Sequence, residues 1–393
     1  MRIGIDASRA FVAEPTGTER YSFELITRLV ALPEAREHQW VLYTRSKTPI
    51  SNFQFPNNDQ MAKFSNVQIR EIPISRLWTQ AGLAARTWTD GLDVLWVPAH
   101  TLPLLRRGFA GLGRPLRTVV TIHGIEYEWL PAYENALQRW YLPWSTIYAV
   151  KTADRVIAVS EFTKRQLVER LGVPADKVSV IYEGVSQNVQ FRDKRSRASR
   201  ANSNFQIISK KFNLQKKKYI LFVGTVQPRK NLVRLIEAFS SLKWDGKLVI
   251  AGKPGWSYEG ILAAPVKYGV EDRVIFAGYV NEAERYSLLQ NAVVYVQPSI
   301  TEGFGLPVVE AMREGVPAVV SGGGALPELV PHTLTAQAGW PVFDPGNVED
   351  IVDKLARVIG NLKLRREMIR RGRQKAGEFT WESATRKTYN ILT

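Results

Sequence analysis

The chain has 393 residues, 45% of them apolar and 23% charged, with no cysteine and a formal net charge of +16. That length exceeds what one hydrophobic core usually serves and predicts two domains of about 200 residues each. The composition excludes a disordered chain, and the lack of cysteine excludes a disulfide framework or a thiolate metal site.

The sequence opens on Met1-Arg2-Ile3-Gly4-Ile5-Asp6, where a carboxylate interrupts the apolar run of roughly 7 to 15 residues that a signal peptide needs. No window reaches the roughly 18 uncharged apolar residues of a membrane-spanning helix. The expectation is a cytoplasmic protein whose membrane contact, where it has any, is peripheral on the inner face of the cell membrane. Strands are predicted at 2–7, 39–44, 67–73, 93–98, 117–124, 154–160 and 178–182, and apolar positions at helical spacing predict helices at 18–32, 133–153 and 161–171.

Residues 188–218 then carry ten basic residues and one acidic one, a net +9 that holds more than half of the chain's excess. Such a run reads as a solvated linker or insertion. The sharper reading is attraction to an anionic membrane surface, where each Lys or Arg contributes about 1 kcal/mol. A basic chain also raises the possibility of nucleic-acid binding, but the charge is concentrated in one stretch without a helix-turn-helix or an RNP-like aromatic signature, so no specific nucleic acid is expected.

After that stretch the alternation resumes, with strands predicted at 219–224, 247–252, 273–278, 292–298 and 317–322 and helical patterns between them. Near-continuous apolar strands alternating with helices predict an α/β fold of two doubly wound, Rossmann-like domains, whose ligand loops follow the carboxyl ends of the strands. The boundaries are 1–187 for the first domain, 188–218 for the basic linker or insertion and 219–377 for the second. Helices are expected at 347–360, where Asn347 and Asp350 are spaced for a capping box, at 363–377 and at 381–392.

The segment Ser299-Ile-Thr-Glu302-Gly303-Phe304-Gly305-Leu306-Pro307-Val-Val-Glu310-Ala311-Met312 is the most informative. A strand ends before it and a helix begins near Pro307, so the glycines bring backbone N–H groups to a helix N-terminus suited to an anion. Two carboxylates flank the junction. Gly224-Thr225-Val226-Gln227-Pro228-Arg229-Lys230-Asn231 follows another strand, and its adjacent cations suit the negative charge of a phosphate.

In the first half, Pro15-Thr16-Gly17-Thr18-Glu19-Arg20-Tyr21 is either a phosphate-facing turn around Gly17 or an ordinary N-cap turn that uses Thr18 with Tyr21 buried. His123 closes the apolar run Val120-Thr121-Ile122 and reads either as a site residue or as a satisfied core histidine. Ser160-Glu161-Phe162-Thr163 reads equally as a helix cap or an acceptor-side contact, and Ser321-Gly322-Gly323-Gly324 as a flexible turn or a ligand loop.

These motifs resemble the retaining glycosyltransferases of the GT-B fold, glycosyltransferase family 4-like or "group 1", the large group of bacterial mannosyl-, glucosyl- and rhamnosyltransferases. Glu302 and Glu310 match the E-x7-E motif, with Gly-Phe-Gly-Leu-Pro between them. The resemblance implies two Rossmann-like domains facing an interdomain cleft, with the last helix, within 378–393, packing back on the first domain. It implies a hexosyltransferase that takes a UDP-, GDP- or dTDP-linked sugar and passes it to a glycan or lipid-linked acceptor in bacterial polysaccharide or lipopolysaccharide assembly.

By the same resemblance Glu302 binds donor-sugar hydroxyls, Gly303, Phe304, Gly305 and Leu306 contribute contacts to sugar and phosphate, and Glu310 binds the ribose. Arg229 and Lys230 grip the diphosphate, although Thr225 stands where many members have Arg. Gly17 faces phosphate, Val280 in Gly278-Tyr279-Val280-Asn281 meets the base, and the 321–324 turn lies beside ribose and base. His123 sits by donor and acceptor, with Ser160 and Thr163 on the acceptor side. The reaction is expected to retain anomeric configuration without a cofactor or a metal, since cations replace the divalent ion and no Asp-x-Asp occurs. The alternatives are a catalytically silent relative that binds a nucleotide, a partner or nucleic acid, and another GT-B enzyme such as a phosphorylase or epimerase.

Overall fold

The computed structural model describes residues 1–12, 15–45, 65–74, 77–111, 113–125, 136–185, 205–335 and 338–393. The described residues up to 185, together with Thr380–Thr393, form one compact unit; those from 205 to Phe379 form a second.

In the first unit the strands are β1 (Arg2–Asp6), β2 (Gln39–Arg45), β3 (Val67–Ile72), β4 (Val94–Val97), β5 (Arg117–Ile122), β6 (Arg155–Ala158) and β7 (Val178–Val180). They form one sheet in the order β3-β2-β1-β4-β5-β6-β7, and every pairing is parallel. Val41, Leu42 and Tyr43 on β2, Leu95, Trp96 and Val97 on β4, and Val119 and Val120 on β5 are buried on successive positions rather than alternate ones, as a parallel sheet covered on both faces requires.

Helices α1 (Gly17–Val30), α2 (Ala84–Thr89), α3 (Ala136–Thr152) and α4 (Glu161–Leu171) lie between strands. A π-helical segment, Trp78–Leu83, runs into α2 and has no counterpart in the sequence reading. Helix α1 begins one residue earlier than the periodicity predicts. Its cap is Thr16, not Thr18: Thr16 and Glu19 form a reciprocal capping box, while Tyr21 is buried.

The second unit opens with helix α5 at 205–212, inside the stretch whose charge suggests a linker. Phe205, Ile208 and Leu214 are buried, and Phe205 stacks on Tyr219 with ring centroids 6.4 Å apart. Apolar residues at helical spacing therefore pack this part of the basic stretch into the domain, while its lysines stay outside; residues 188–204 lie outside the described ones.

Then come β8 (Tyr219–Val223), α6 (Leu232–Ser241), β9 (Lys247–Ala251), α7 (Glu259–Lys267), β10 (Val274–Gly278), α8 (Glu282–Asn291), β11 (Val294–Gln297), α9 (Leu306–Glu314), β12 (Ala318–Ser321) and α10 (Leu326–Leu329). A small antiparallel pair, β13 (Thr333–Thr335) and β14 (Ala338–Gly339), precedes β15 (Val342–Phe343). The main sheet is parallel, in the order β10-β9-β8-β11-β12-β15.

Helices α11 (Val348–Gly360) and α12 (Leu362–Ala376) close this unit. Asn347 caps α11 by accepting from the Asp350 N–H, but the Asp350 carboxylate accepts from Asp344 N–H, so the expected box is only half formed.

The final helix, α13 (Trp381–Leu392), belongs to the first unit and packs on α1. Trp381 is fully buried with its ring 6.1 Å from that of Tyr21, and Arg117 donates to the carbonyls of Ile391 and Leu392 at the helix end. Truncating a buried Trp costs about 3–5 kcal/mol, so this anchor is firm. Gly184 makes room for it, since a Cβ there would lie 2.2 Å from Trp381 N.

Candidate functional site

In the second unit the chain runs from β8 outward through β9 to β10 and then returns to β11 on the other side of β8, so the strand order reverses between β8 and β11. Loops at such a switch point flank the crevice where doubly wound sheets bind ligands. The loop after β8 carries Arg229 and Lys230; the loop after β11 carries Glu302. The two are stitched together: Ile300 N–H donates to Arg229 O at 3.0 Å, and Asn231 Nδ2 donates to Pro298 O at 3.1 Å from a left-handed backbone (φ 57°).

That stitching brings both cations onto one carboxylate. Lys230 Nζ donates to Glu302 Oε1 at 2.5 Å, and Arg229 Nη1 to Oε2 at 3.0 Å and to Thr301 O at 2.7 Å. Gln297 Nε2 and Ser299 Oγ also donate to Oε1, at 2.8 and 2.6 Å. Burial pushes the Glu302 carboxyl up, but Lys230 and then Arg229 outweigh it, with the hydrogen bonds from Lys230 and Ser299, and hold it at about 2. Glu302 and Arg229 are each 7% exposed. Two cations and one anion leave the cluster with a net +1, the sign that a diphosphate needs.

Glycine makes this loop possible at two points. Gly305 has φ 117° and caps α9, in which Pro307 occupies the first turn. Gly324, at φ 67°, lets the turn after β12 run against the backbone of Glu302, where a Cβ would lie 2.3 Å from its N and O atoms. Phe304 and Leu306 turn their side chains into the core, Phe304 edge-on to Phe379 at 5.7 Å, whereas Gly303 and Gly305 are only half-buried. Between Glu302 and the helix, the partly accessible positions are glycines and offer backbone.

Glu310, one turn into α9 and 1% exposed, is gripped by Arg285 of α8, whose Nη1 donates to Oε1 at 2.9 Å and to Oε2 at 2.6 Å. On β11, burial first and then the charges of Glu302 and Glu310 push the Tyr295 hydroxyl upward, and it donates to Gln297 Oε1. The 278–281 turn leads directly into α8, with Asn281 forming a capping box with Glu284. Tyr279 is exposed under Lys253 Nζ, 4.8 Å from the ring centroid, and Val280 is half-buried.

The other candidates belong to the first unit. His123, at the end of β5, approaches Glu183 Oε1 with Nδ1 at 3.2 Å and Pro98 O with Nε2 at 2.9 Å, and meets the Tyr21 ring edge-on at 4.5 Å. His100 lies 5.7 Å away with φ 48°; burial first, then the charge of His123, pushes it down to about 3. Gly17 is the first residue of α1, and a Cβ there would meet nothing within 4 Å. Ser160 caps α4 by accepting from the Thr163 N–H at 3.0 Å, and both residues are fully buried. The capping alternative for that pair is thus realised in the geometry.

Arg229, Lys230 and Glu302 meet in one cluster, while Glu310 pairs with Arg285, and several of these partners escape the motif reading. Gln297 and Ser299 carry a faint signal, polar residues at the end of an apolar strand. Arg285, His100 and Glu183 carry none, because only folding brings them to Glu310 and His123. Among the described residues, no group of three or more His, Cys, Asp or Glu side chains could hold a metal ion, and no helix is long and apolar enough to cross a membrane.

Two Rossmann-like units with an acidic and basic cluster at a switch point define a glycosyltransferase of the GT-B fold, and the chain belongs to that family. Residues 15–188 match the family described as Glycosyltransferase Family 4, and residues 204–375 match Glycosyl transferases group 1. Over 97% of its length the chain is 28% identical to 98% of the O-antigen chain mannosyltransferase B of Escherichia coli. It is 28% identical over 242 residues, 60% of this chain, to 48% of the D-inositol 3-phosphate glycosyltransferase of Mycobacterium tuberculosis. Among solved structures, sucrose-phosphate synthase of Thermosynechococcus elongatus aligns over 100% of this chain and 98% of its own with a TM-score of 0.73 at 19% identity. WaaG, a glycosyltransferase involved in lipopolysaccharide biosynthesis, covers 100% of both chains with a TM-score of 0.70 at 15% identity.

Proposed function

We propose that this protein is a retaining hexosyltransferase that moves a sugar from a UDP-, GDP- or dTDP-linked donor to a glycan or lipid-linked acceptor in bacterial polysaccharide or lipopolysaccharide assembly. The observation that carries the reading is the convergence of Lys230 and Arg229 on the Glu302 carboxylate, at 2.5 and 3.0 Å. In this reading the two cations bind the diphosphate and stabilise the charge that grows on it as the glycosidic bond breaks, with no cofactor and no metal ion. Glu302, held ionised, accepts hydroxyls of the donor sugar, the Gly303–Leu306 backbone contacts sugar and phosphate, Glu310 accepts the ribose hydroxyls and Val280 meets the base. His123 serves the side where donor and acceptor react. Mannose is the first sugar to test, because the relative matched over nearly the whole chain is a mannosyltransferase.

A thermal-shift panel of nucleotide sugars tests this. A donor at about 100 times its dissociation constant stabilises the fold by about 2.7 kcal/mol. The shift should shrink by at least half in Glu310→Ala, which loses the roughly 10- to 100-fold of affinity that hydrogen bonds to a charged group carry, and a shift of full size there counts against the ribose role. Proton NMR of the product should show the donor's anomeric configuration, and turnover should persist in EDTA; an inverted product or a strict Mg²⁺ requirement overturns the corresponding part.

We also read the protein as acting at the inner face of the cell membrane. Supporting this are the basic stretch and exposed apolar side chains of the first unit, Leu77, Trp88, Leu105 and Trp144. Co-sedimentation with vesicles containing anionic lipid, and its absence with neutral vesicles, is the expected result; equal behaviour with both rejects the electrostatic part.

A further inference from the structure

We propose that Arg285 is a positioning residue for donor recognition, acting through Glu310 to fix the carboxylate that accepts the ribose and joining it mechanically to the base-contacting turn. The inference rests on the reading of Glu310 as the ribose-binding group. Its own foundation is the geometry of α8 and α9.

Arg285 Nη1 reaches both oxygens of Glu310, at 2.9 and 2.6 Å, so the carboxylate cannot rotate without breaking a charge-assisted hydrogen bond. Glu310 is 1% exposed, which leaves a ligand hydroxyl little choice of approach once that rotamer is set. A carboxylate has about four acceptor sites, enough for Arg285 and the two hydroxyls of a ribose together. The guanidinium cannot lose its proton, so the partner charge is permanent.

Helix α8 ties this clamp to the turn before it. Tyr279 and Val280 lead into Asn281, whose side chain accepts from Glu284 N–H at 2.9 Å while Glu284 accepts from Asn281 N–H at 2.9 Å. Arg285 is the next residue. Further along, Gln290 Nε2 donates to Glu314 Oε2 at 2.6 Å, a second link between α8 and α9. One helix therefore presents the base-side turn at its start and holds the ribose carboxylate of its neighbour a turn later. The turn read as meeting the base and the side chain that holds Glu310 are thus carried by one helix.

The test compares the dissociation constants of UDP and GDP with those of their 2′,3′-dideoxy counterparts, by calorimetry. For the nucleotide that binds best, wild type should favour the ribose form by roughly 10- to 100-fold, the range for hydrogen bonds to a charged group. Arg285→Met should lose most of that preference while its affinity for the dideoxy form stays within about 2-fold, and Arg285→Lys should recover part of it.

Since Arg285→Met leaves a buried carboxylate without its cation, Arg285→Met combined with Glu310→Gln removes both charges and serves if the single variant fails to fold. Its ribose preference should equal that of Glu310→Gln alone. A full ribose preference in a folded Arg285→Met, or a double variant whose preference differs from that of Glu310→Gln alone, overturns the role of Arg285 while leaving the nucleotide site standing. Wild type that binds ribose and dideoxy forms equally overturns the Glu310 reading itself, and the positioning role with it.

Discussion

Each unit keeps a buried polar cluster at the carboxyl ends of its parallel strands, and the two are held by different forces. Around His123 the contacts are a backbone carbonyl, one carboxylate, an aromatic edge and a second histidine that burial keeps neutral. Around Glu302 they are two cations and two neutral donors on a single carboxylate. The first arrangement fixes a ring in one orientation by packing. The second stores an excess positive charge in a place where water is largely excluded, and an anion that enters can take over the cations. Packing fixes geometry in the first cluster, and the ion cluster sets up a field in the second.

The contrast breaks most visibly at Glu302. Glu302→Ala leaves Arg229 and Lys230 buried without their shared partner, and removal of one partner from a buried pair costs about 3–5 kcal/mol. Urea denaturation should show that loss; a variant as stable as wild type would mean that the cations find compensation elsewhere. On the catalytic side, Lys230→Ala should lower the transfer rate by roughly 10²–10³ with unchanged circular dichroism, the scale of losing one preorganised electrostatic contact. A rate within a factor of three of wild type would remove Lys230 from the leaving-group role.

The acid limb of stability sharpens the same point. Glu302 is held at about 2 in the folded chain against an ordinary 4.5, so the unfolded chain binds this proton more readily. Its contribution, roughly 3 kcal/mol, is complete above about pH 4.5 and lost as the pH falls towards 2. Glu302→Gln should flatten the stability curve across that window, and parallel curves for variant and wild type would refute the assignment. The smallest effect belongs to the first unit: Ser160→Ala removes the α4 cap and should cost about 1 kcal/mol, with donor affinity unchanged. Loss of acceptor turnover well beyond that cost would return Ser160 to the acceptor side.

What the sequence by itself determined is the alternation of apolar strands and helices, and hence two parallel α/β sheets, because burial on both faces leaves an uninterrupted apolar run that needs no partner to be recognised. It also determined the glycine-bearing junction with Glu302 and Glu310, and the Arg229-Lys230 pair after another strand, since those features are local. Charge misled at 205–212, where it masked a packed helix, and the α1 cap was ambiguous because Thr16 and Thr18 both offer a hydroxyl.

Tertiary structure alone decided who meets whom. The strand order sets β8 beside β11, and only that adjacency carries Arg229 and Lys230 across 73 and 72 residues of chain to Glu302. Arg285 reaches Glu310, Glu183 and His100 reach His123, and α13 joins the first unit for the same reason. Long-range pairing depends on how sheets order and helices cross, and no window of sequence contains both partners.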